Sequence, residues 1–221
     1  MNNILIIGAH YDDTELGVGG TAALLAKSGK KVYKLTLTDN ETDFKQKGII
    51  VNYTSSKIAS CKASKELGIE EITDFIPEKC NHLLYSSEIM QKIESIIFEK
   101  NIDTVFMHYI HDLNEDHVVA SRISMVASRH CKNIFMFQSN GYISENQFHP
   151  TVFFNITDFF EAKKRALANY GPEHNRFNKL FEMNLARNFV HGFGCECEYA
   201  EGFIPIKMIV NDEDSHSNVS D

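Results

Sequence analysis

The sequence has no uninterrupted apolar stretch of the about 18 residues that a membrane-spanning helix needs. Its N-terminus lacks the charged and apolar segments of a secretory leader. A cytoplasmic protein with no stable membrane insertion is therefore expected. Positive charge is also scarce: 22 Lys and Arg stand against 30 Asp and Glu, a formal net charge of -8. Such a chain repels phosphate backbones, which argues against nucleic acid as a partner and favours small-molecule chemistry. No Pro/Gly/Ser-rich linker, repeat or low-complexity block divides the 221 residues. One domain over residues 1–210 is the economical expectation, with an acidic tail over 211–221 that has little to bury and should be disordered. The cysteines (Cys61, Cys80, Cys131, Cys195, Cys197) are odd in number and irregular in spacing, which argues against a disulfide framework and fits reduced thiols better. Cys195-Glu196-Cys197 has the period-2 spacing of a strand, and no second pair matches it as a metal site.

What the chain does have is a regular alternation of short apolar runs and helical patterns. Residues 3–8 read as a buried parallel strand, Leu16–Ser28 as the helix that follows it, and Val32–Leu37 as the next strand. Gly29 and Gly68 are natural helix C-caps, the latter ending a helix from Ser55 to Leu67. Helices are predicted over Ser86–Glu99, Val118–Ser128, Asp158–Tyr170 and Asn175–Val190. Strands are predicted over Asp103–Met107, Asn133–Phe137, Val152–Ile156 (an edge) and Tyr199–Val210. The glycines at 17, 19 and 20 should let the first helix pack close to the sheet, with Thr14 and Glu15 biasing negative charge toward its N-terminus. The result is a single α/β, Rossmann-like three-layer sandwich with a mostly parallel sheet.

Two polar clusters follow apolar strands. Ala9-His10-Tyr11-Asp12-Asp13-Thr14-Glu15 succeeds Ile4–Gly8, and His111-Asp112-Leu113-Asn114-Glu115-Asp116-His117 succeeds Thr104–Met107. Residues ejected from the carboxyl edge of a parallel sheet meet ligand rather than core. His10 and Asp13, three apart at a strand-to-helix turn, can converge on one ion, and His117 can complete the set. Two imidazoles and a carboxylate suit Zn²⁺ and leave coordination positions open, the pattern of a catalytic site. Asp12 must point elsewhere and is placed to act as general base; Asp116 can orient an imidazole or hold a neighbouring turn. Singly, the Asp pair could merely cap a helix and His117 face solvent; jointly, a divalent metal site is the stronger reading. A dinucleotide fingerprint at the glycines has the wrong spacing, and its pyrophosphate would meet Asp12, Asp13 and Glu15.

These residues resemble the PIG-L/LmbE superfamily of zinc-dependent N-deacetylases, whose first motif runs Ala-His-Pro-Asp-Asp-x-Glu and whose second ends in Asp-His. Leu67-Gly68-Ile69, Lys163-Lys164-Arg165-Ala166-Leu167 with Tyr170, and Tyr199-Ala200-Glu201-Gly202-Phe203 extend the resemblance along most of the chain. It implies an LmbE-like fold, Zn²⁺ on His10, Asp13 and His117, and Asp12 as the base. The chain departs from the pattern in three places. Tyr11 replaces a proline, loosening the turn or bringing a phenol to the site rim. Asn114 stands where a histidine would polarise the substrate or protonate the leaving amine. Ser56 and Ala59 are nearest to an Arg-x-x-Glu pattern.

An amide donates to an oxyanion but supplies no proton. The acid is then protonated Asp12 returning its proton, His111, or His191, which sits where relatives often carry Arg-Gly. The expected activity is hydrolysis of an N-acetyl group from a small-molecule amino sugar or sugar conjugate, nucleotide- and lipid-linked forms included, with Asn114 steadying the oxyanion. The alternatives are an amidase on a non-sugar conjugate, such as a thiol conjugate, and a catalytically silent metal-containing binding protein. Asp39–Lys47 and Gln138–Pro150 should line the crevice, where Tyr142 and Phe148 could stack on a sugar or simply pack.

Overall fold

A computed structural model describes residues 1–47, 49–171 and 177–210; the proposed tail and the start of the Asn175–Val190 helix lie outside these. The first parallel unit comprises β1 (Asn3–Gly8), α1 (Asp13–Lys27) and β2 (Lys31–Thr36). A small hairpin, β3 (Thr42–Phe44) and β4 (Ile49–Val51), precedes α2 (Tyr53–Leu67) and the two-residue β5 (Glu70–Glu71). Then come α3 (Ser87–Glu99), β6 (Thr104–His108), α4 (Glu115–Ala127), β7 (Asn133–Phe137), β8 (Val152–Asn155), α5 (Phe160–Ala168), α6 (Phe177–Gly194) and β9 (Ala200–Lys207).

The main sheet has seven strands in the order β5-β2-β1-β6-β7-β9-β8. The first five run parallel, and β9 is antiparallel to both β7 and β8. Alternate residues of the apolar strands feed two cores. Leu5, Ile7, Val105, Met107 and Met136 meet Ile89, Ile93 and Ile97 of α3 and Ala120 and Ile123 of α4. Ile4, Ile6, Phe106, Phe135 and Phe203 meet Val18 and Ala22 of α1, Ala59 and Ala63 of α2, and Ala166 beside Tyr170. Each buried aliphatic side chain contributes about 1.5–3 kcal/mol, so the three layers follow from the strand alternation.

Three local findings position the site. A Cβ on Gly17 would overlap the Phe137 ring, so glycine is what lets α1 approach β7. Against α1, Lys163 Nζ of α5 donates to the Leu16 carbonyl (2.8 Å) and to Glu201 Oε1 (2.7 Å), while Glu201 accepts from the Gly20 and Thr21 amides at 3.0 and 2.7 Å. The buried ion pair thus engages the Leu16 carbonyl and the Gly20 amide, groups four residues apart on the same helix. Lys34, fully buried in β2, donates to both oxygens of Glu15 (2.8 and 2.9 Å) and to the Tyr11 carbonyl (2.7 Å), with Ser60 and Tyr170 completing its shell. Glu15 is therefore spent on a lysine rather than on the helix terminus.

Several expectations are corrected. α1 and α4 each begin about one turn earlier than the apolar periodicity suggests, because capping and site residues make up their first turns. β6 runs on to His108, one residue past the apolar run. Cys195–Cys197 is not a strand: α6 continues to Gly194, and the Cys195 and Cys197 amides both return to the Gly192 carbonyl at 3.0 Å around Glu196, whose φ is 58°. Tyr11 brings no phenol to the rim; its ring is buried in the second core, 6.3 Å from that of Tyr53.

Candidate metal centre

The chain order reverses beside β1: β2 lies on one side and β6 on the other, so the loops after β1 and β6 open into the crevice where α/β sheets bind ligands. Both loops start helices there. After β1, the Asp13 amide bonds to the His10 carbonyl at 3.4 Å and the Leu16 amide to that of Asp12 at 3.0 Å. After β6, Asn114 caps α4, its Oδ1 accepting the Asp116 amide at 2.9 Å and the His117 amide at 3.4 Å. Asp112 accepts the Asn114 amide at 2.8 Å and so fixes the turn.

These turns bring His10, Asp13 and His117 together, with donor atoms all within 4.8 Å of one another. His10 Nδ1 is 3.1 Å from His117 Nε2 and 3.4 Å from Asp13 Oδ2, and His117 Nε2 is 3.3 Å from Asp13 Oδ1. The opposite ring atoms are held from behind: Asp112 Oδ2 lies 3.1 Å from His117 Nδ1, and Asp116 Oδ2 lies 3.2 Å from His10 Nε2. Asn140 Nδ2 bonds both oxygens of Asp112 at 2.7 Å. Asp116 also accepts the Asn81 amide (2.7 Å) and the Leu83 amide (3.2 Å), so one carboxylate both orients an imidazole and holds a neighbouring turn. Asp13 takes the His10 amide (2.7 Å) and the Ser139 hydroxyl (2.8 Å).

The charges are strongly coupled. Burial would lower His117, but the Asp13 charge and the Asp112 hydrogen bond push it up to about 9. Burial likewise opposes a proton on His10, yet Asp116 and Asp13 hold it well above the usual imidazole range. Burial would raise Asp13; the neighbouring His117 and His108 overrule it and hold the carboxyl well below its ordinary value. His108 goes the other way, down to about 4, through burial and the His117 charge. Two nitrogens facing each other at 3.1 Å beside a carboxylate must share either protons or a cation. Two imidazoles and one carboxylate are donors that a zinc-class ion accepts, so the residues present fit such an ion.

The cluster lies on the wall of a cavity of about 510 Å³. Asp12 and Asn114 line it as well, and Asp12, although it is the N-cap residue of α1, makes no side-chain capping bond. His191 is not brought there: it sits on α6 with its ring 5.3 Å from Phe153, its pKa lowered by burial and by Arg187 and Lys163. His111 is exposed and outside the lining. Asn40–Phe44, Ser139, Asn140 and Tyr142 line the cavity, whereas Phe148 packs on Tyr109 at 5.2 Å. The sequence reading missed His108, whose ring stacks 3.9 Å from that of His117 and whose Nε2 lies 3.0 Å from Asp13 Oδ2. It also missed the Lys79–His82 turn. A histidine ending an apolar strand was the available signal for the first; the turn carries none.

Comparison with known proteins shows the family and the fold. The family model described as PIG-L: GlcNAc-PI de-N-acetylase matches residues 5–128. A relative in Escherichia coli (strain K12), the uncharacterized deacetylase YaiS, is 28% identical over 176 residues, covering 76% of this chain and 89% of that protein. Among solved structures, the 4-carboxy-2-hydroxymuconate hydratase GalB from Pseudomonas putida KT2440 superposes with a TM-score of 0.82 at 17% identity, covering all of both chains. The N,N'-diacetylchitobiose deacetylase from Pyrococcus horikoshii has a TM-score of 0.76 at 18% identity, covering 97% of this chain and 88% of that one. At these identities the two structures share the fold. Among the described residues, no helix is long and apolar enough to cross a membrane.

Proposed function

The chain belongs to the PIG-L (GlcNAc-PI de-N-acetylase) family, and from that premise we propose that it is a zinc-dependent hydrolase that removes an N-acetyl group from an amino sugar or sugar conjugate. The observation that carries this reading is the convergence of His10 Nδ1, His117 Nε2 and the Asp13 carboxylate on the wall of a cavity that Asp12 also lines. His10, Asp13 and His117 would hold the ion, which when bound supplies Lewis acidity to an amide carbonyl and makes water a stronger acid.

The rest is work for the chain's own groups. Asp112 and Asp116 hold the two imidazoles by their far nitrogens, which fixes the nitrogens they present to the cavity. Asp12 accepts a proton from the attacking water and returns it to the departing nitrogen, so acetate and a free amine leave. That return makes a separate acid unnecessary, in keeping with the absence of His191 from the cavity lining. The Asn114 side chain has its oxygen committed to the helix cap, which leaves its NH₂ as the group able to steady the developing oxyanion.

The same fold serves a hydratase, so fold alone does not select the chemistry. The test is amine release from a panel of N-acetylated sugars, nucleotide sugars and thiol conjugates by zinc-loaded protein, with Asp12→Asn alongside. Turnover on one sugar class, reduced about 10²–10⁴-fold in the variant with zinc content unchanged, is expected. Release from thiol conjugates alone would replace the substrate class. No release from any compound by protein with zinc bound would overturn the hydrolase reading.

A further inference from the structure

Cys80 has no part in the chemistry above, yet it is buried (6% exposed) in the wall of the same cavity. Its amide is pinned to Asp39 Oδ1 at 2.9 Å, and its sulfur accepts from Asn81 Nδ2 at 3.4 Å. The donor atoms of His10, Cys80 and Asp116 all lie within 4.8 Å of one another, a second three-donor group beside the first. The two groups share one ring. His10 turns Nδ1 toward His117 and Asp13 and Nε2 toward Asp116 Oδ2, 3.2 Å away.

We propose that His10 Nε2, Cys80 Sγ and the Asp116 carboxylate form a second metal site, selective for soft divalent ions, and that filling it inhibits the enzyme. A thiolate, an imidazole and a carboxylate prefer zinc or cadmium to magnesium or calcium, and thiolate favours cadmium in particular. On binding, the thiol proton and the Nε2 proton pass to solvent, and the ion takes their places. Asp116 then divides its charge between the ion and the Asn81 and Leu83 amides that shape the cavity wall. His10 loses the hydrogen bond that orients it. The site itself rests on geometry alone; its inhibitory consequence rests on the deacetylase reading.

The test titrates chelator-stripped full-length protein with cadmium, following the ultraviolet thiolate-to-cadmium charge-transfer band and the metal retained after dialysis. Wild-type protein should retain two equivalents and develop the band. Cys80→Ser and Cys80→Ala should each retain one equivalent without it, and Cys195→Ser/Cys197→Ser should behave as wild type. His117→Ala should lose one equivalent and keep the band. Excess zinc should inhibit wild-type turnover and leave Cys80→Ser, relative to its own basal rate, uninhibited. A wild-type protein with no band, or a band that survives Cys80→Ser or disappears in His117→Ala, would overturn the proposal. Failure of the catalytic-site reading would show separately, as a Cys80→Ser protein that retains no metal.

Discussion

Helix α1 carries two kinds of buried polar group, and they differ in whether donors and acceptors balance. Toward the cavity, Asp13 sits among His10, His108 and His117, where two imidazole nitrogens confront each other and the group holds together only by keeping extra protons. Toward the body of the protein, Glu15 and the Gly20 and Thr21 amides meet Lys34 and the Lys163–Glu201 pair, where each ammonium faces a carboxylate and a carbonyl. Both sets are buried and charged. Only in the first do two imidazole nitrogens face each other beside a carboxylate, and that imbalance, rather than burial or charge, is what the proposed metal site rests on. The second set is closed and serves to fasten α1 to β2, α5 and β9.

The largest effect should come from breaking the open set. Asp13→Ala removes the one anion among the three donors and leaves His10 and His117 to repel each other when protonated. Metal content by elemental analysis should fall from one equivalent at the primary site to background, and turnover with it. A variant that keeps the primary equivalent would sink the assignment of Asp13 as a ligand.

The closed set should respond in stability instead. Glu201→Ala leaves the fully buried Lys163 ammonium without its carboxylate, and such a break costs about 3–5 kcal/mol. Replacing both partners, as in Lys163→Met/Glu201→Leu, should recover much of that loss, because no charge is stranded. Denaturant unfolding of the two variants measures the difference. Equal destabilisation by both would mean that the pair's hydrogen bonds to α1, not its charge balance, carry the effect.

If the cluster holds a metal as proposed, the protons it keeps without one should be visible as well. In chelated protein the folded-state pKa of His117 is raised to about 9. Its stabilising contribution is thus fully present below the unfolded value near 6.5 and is lost as pH rises through about 9. Thermal melting of metal-free protein should decline over that window, whereas zinc-loaded protein should hold its midpoint. Parallel declines would argue that His117 is not a ligand.

The sequence made the open set readable and hid the closed one, for a physical reason. Polar residues that emerge where an apolar strand ends face the crevice, so His10, Asp13 and His117 stand out against Ile4–Gly8 and Thr104–Met107. Lys34 sits inside a strand and Lys163 inside a helix, where lysine ordinarily signals an exposed face; only the partners brought by the fold reveal that both are buried. His108 was lost because the apolar run stops at Met107 while strand pairing carries on by one residue. The period-2 cysteines misled because alternation over three residues fits a helix-terminal turn as well as a strand.

Asn114 both lines the cavity and caps α4, and the smallest effect should come from separating its two duties. Its oxygen is spent on the Asp116 and His117 amides, a cap whose loss costs about 1 kcal/mol. Asn114→Asp keeps a capping oxygen and places its charge at the helix N-terminus, where it is welcome, but it removes the NH₂ and brings an anion close to any developing oxyanion. Asn114→Ala removes cap and donor together. If the amide steadies the oxyanion, Asn114→Asp should melt near the wild-type temperature yet lose turnover, mostly in kcat, while Asn114→Ala should lose both. If Asn114 merely positions His117 by capping α4, Asn114→Asp should retain turnover and Asn114→Ala should show a weakened metal affinity instead. The pair of variants, read by melting temperature, kcat and metal retention, thus decides whether this residue acts on the substrate or through the ligand it precedes.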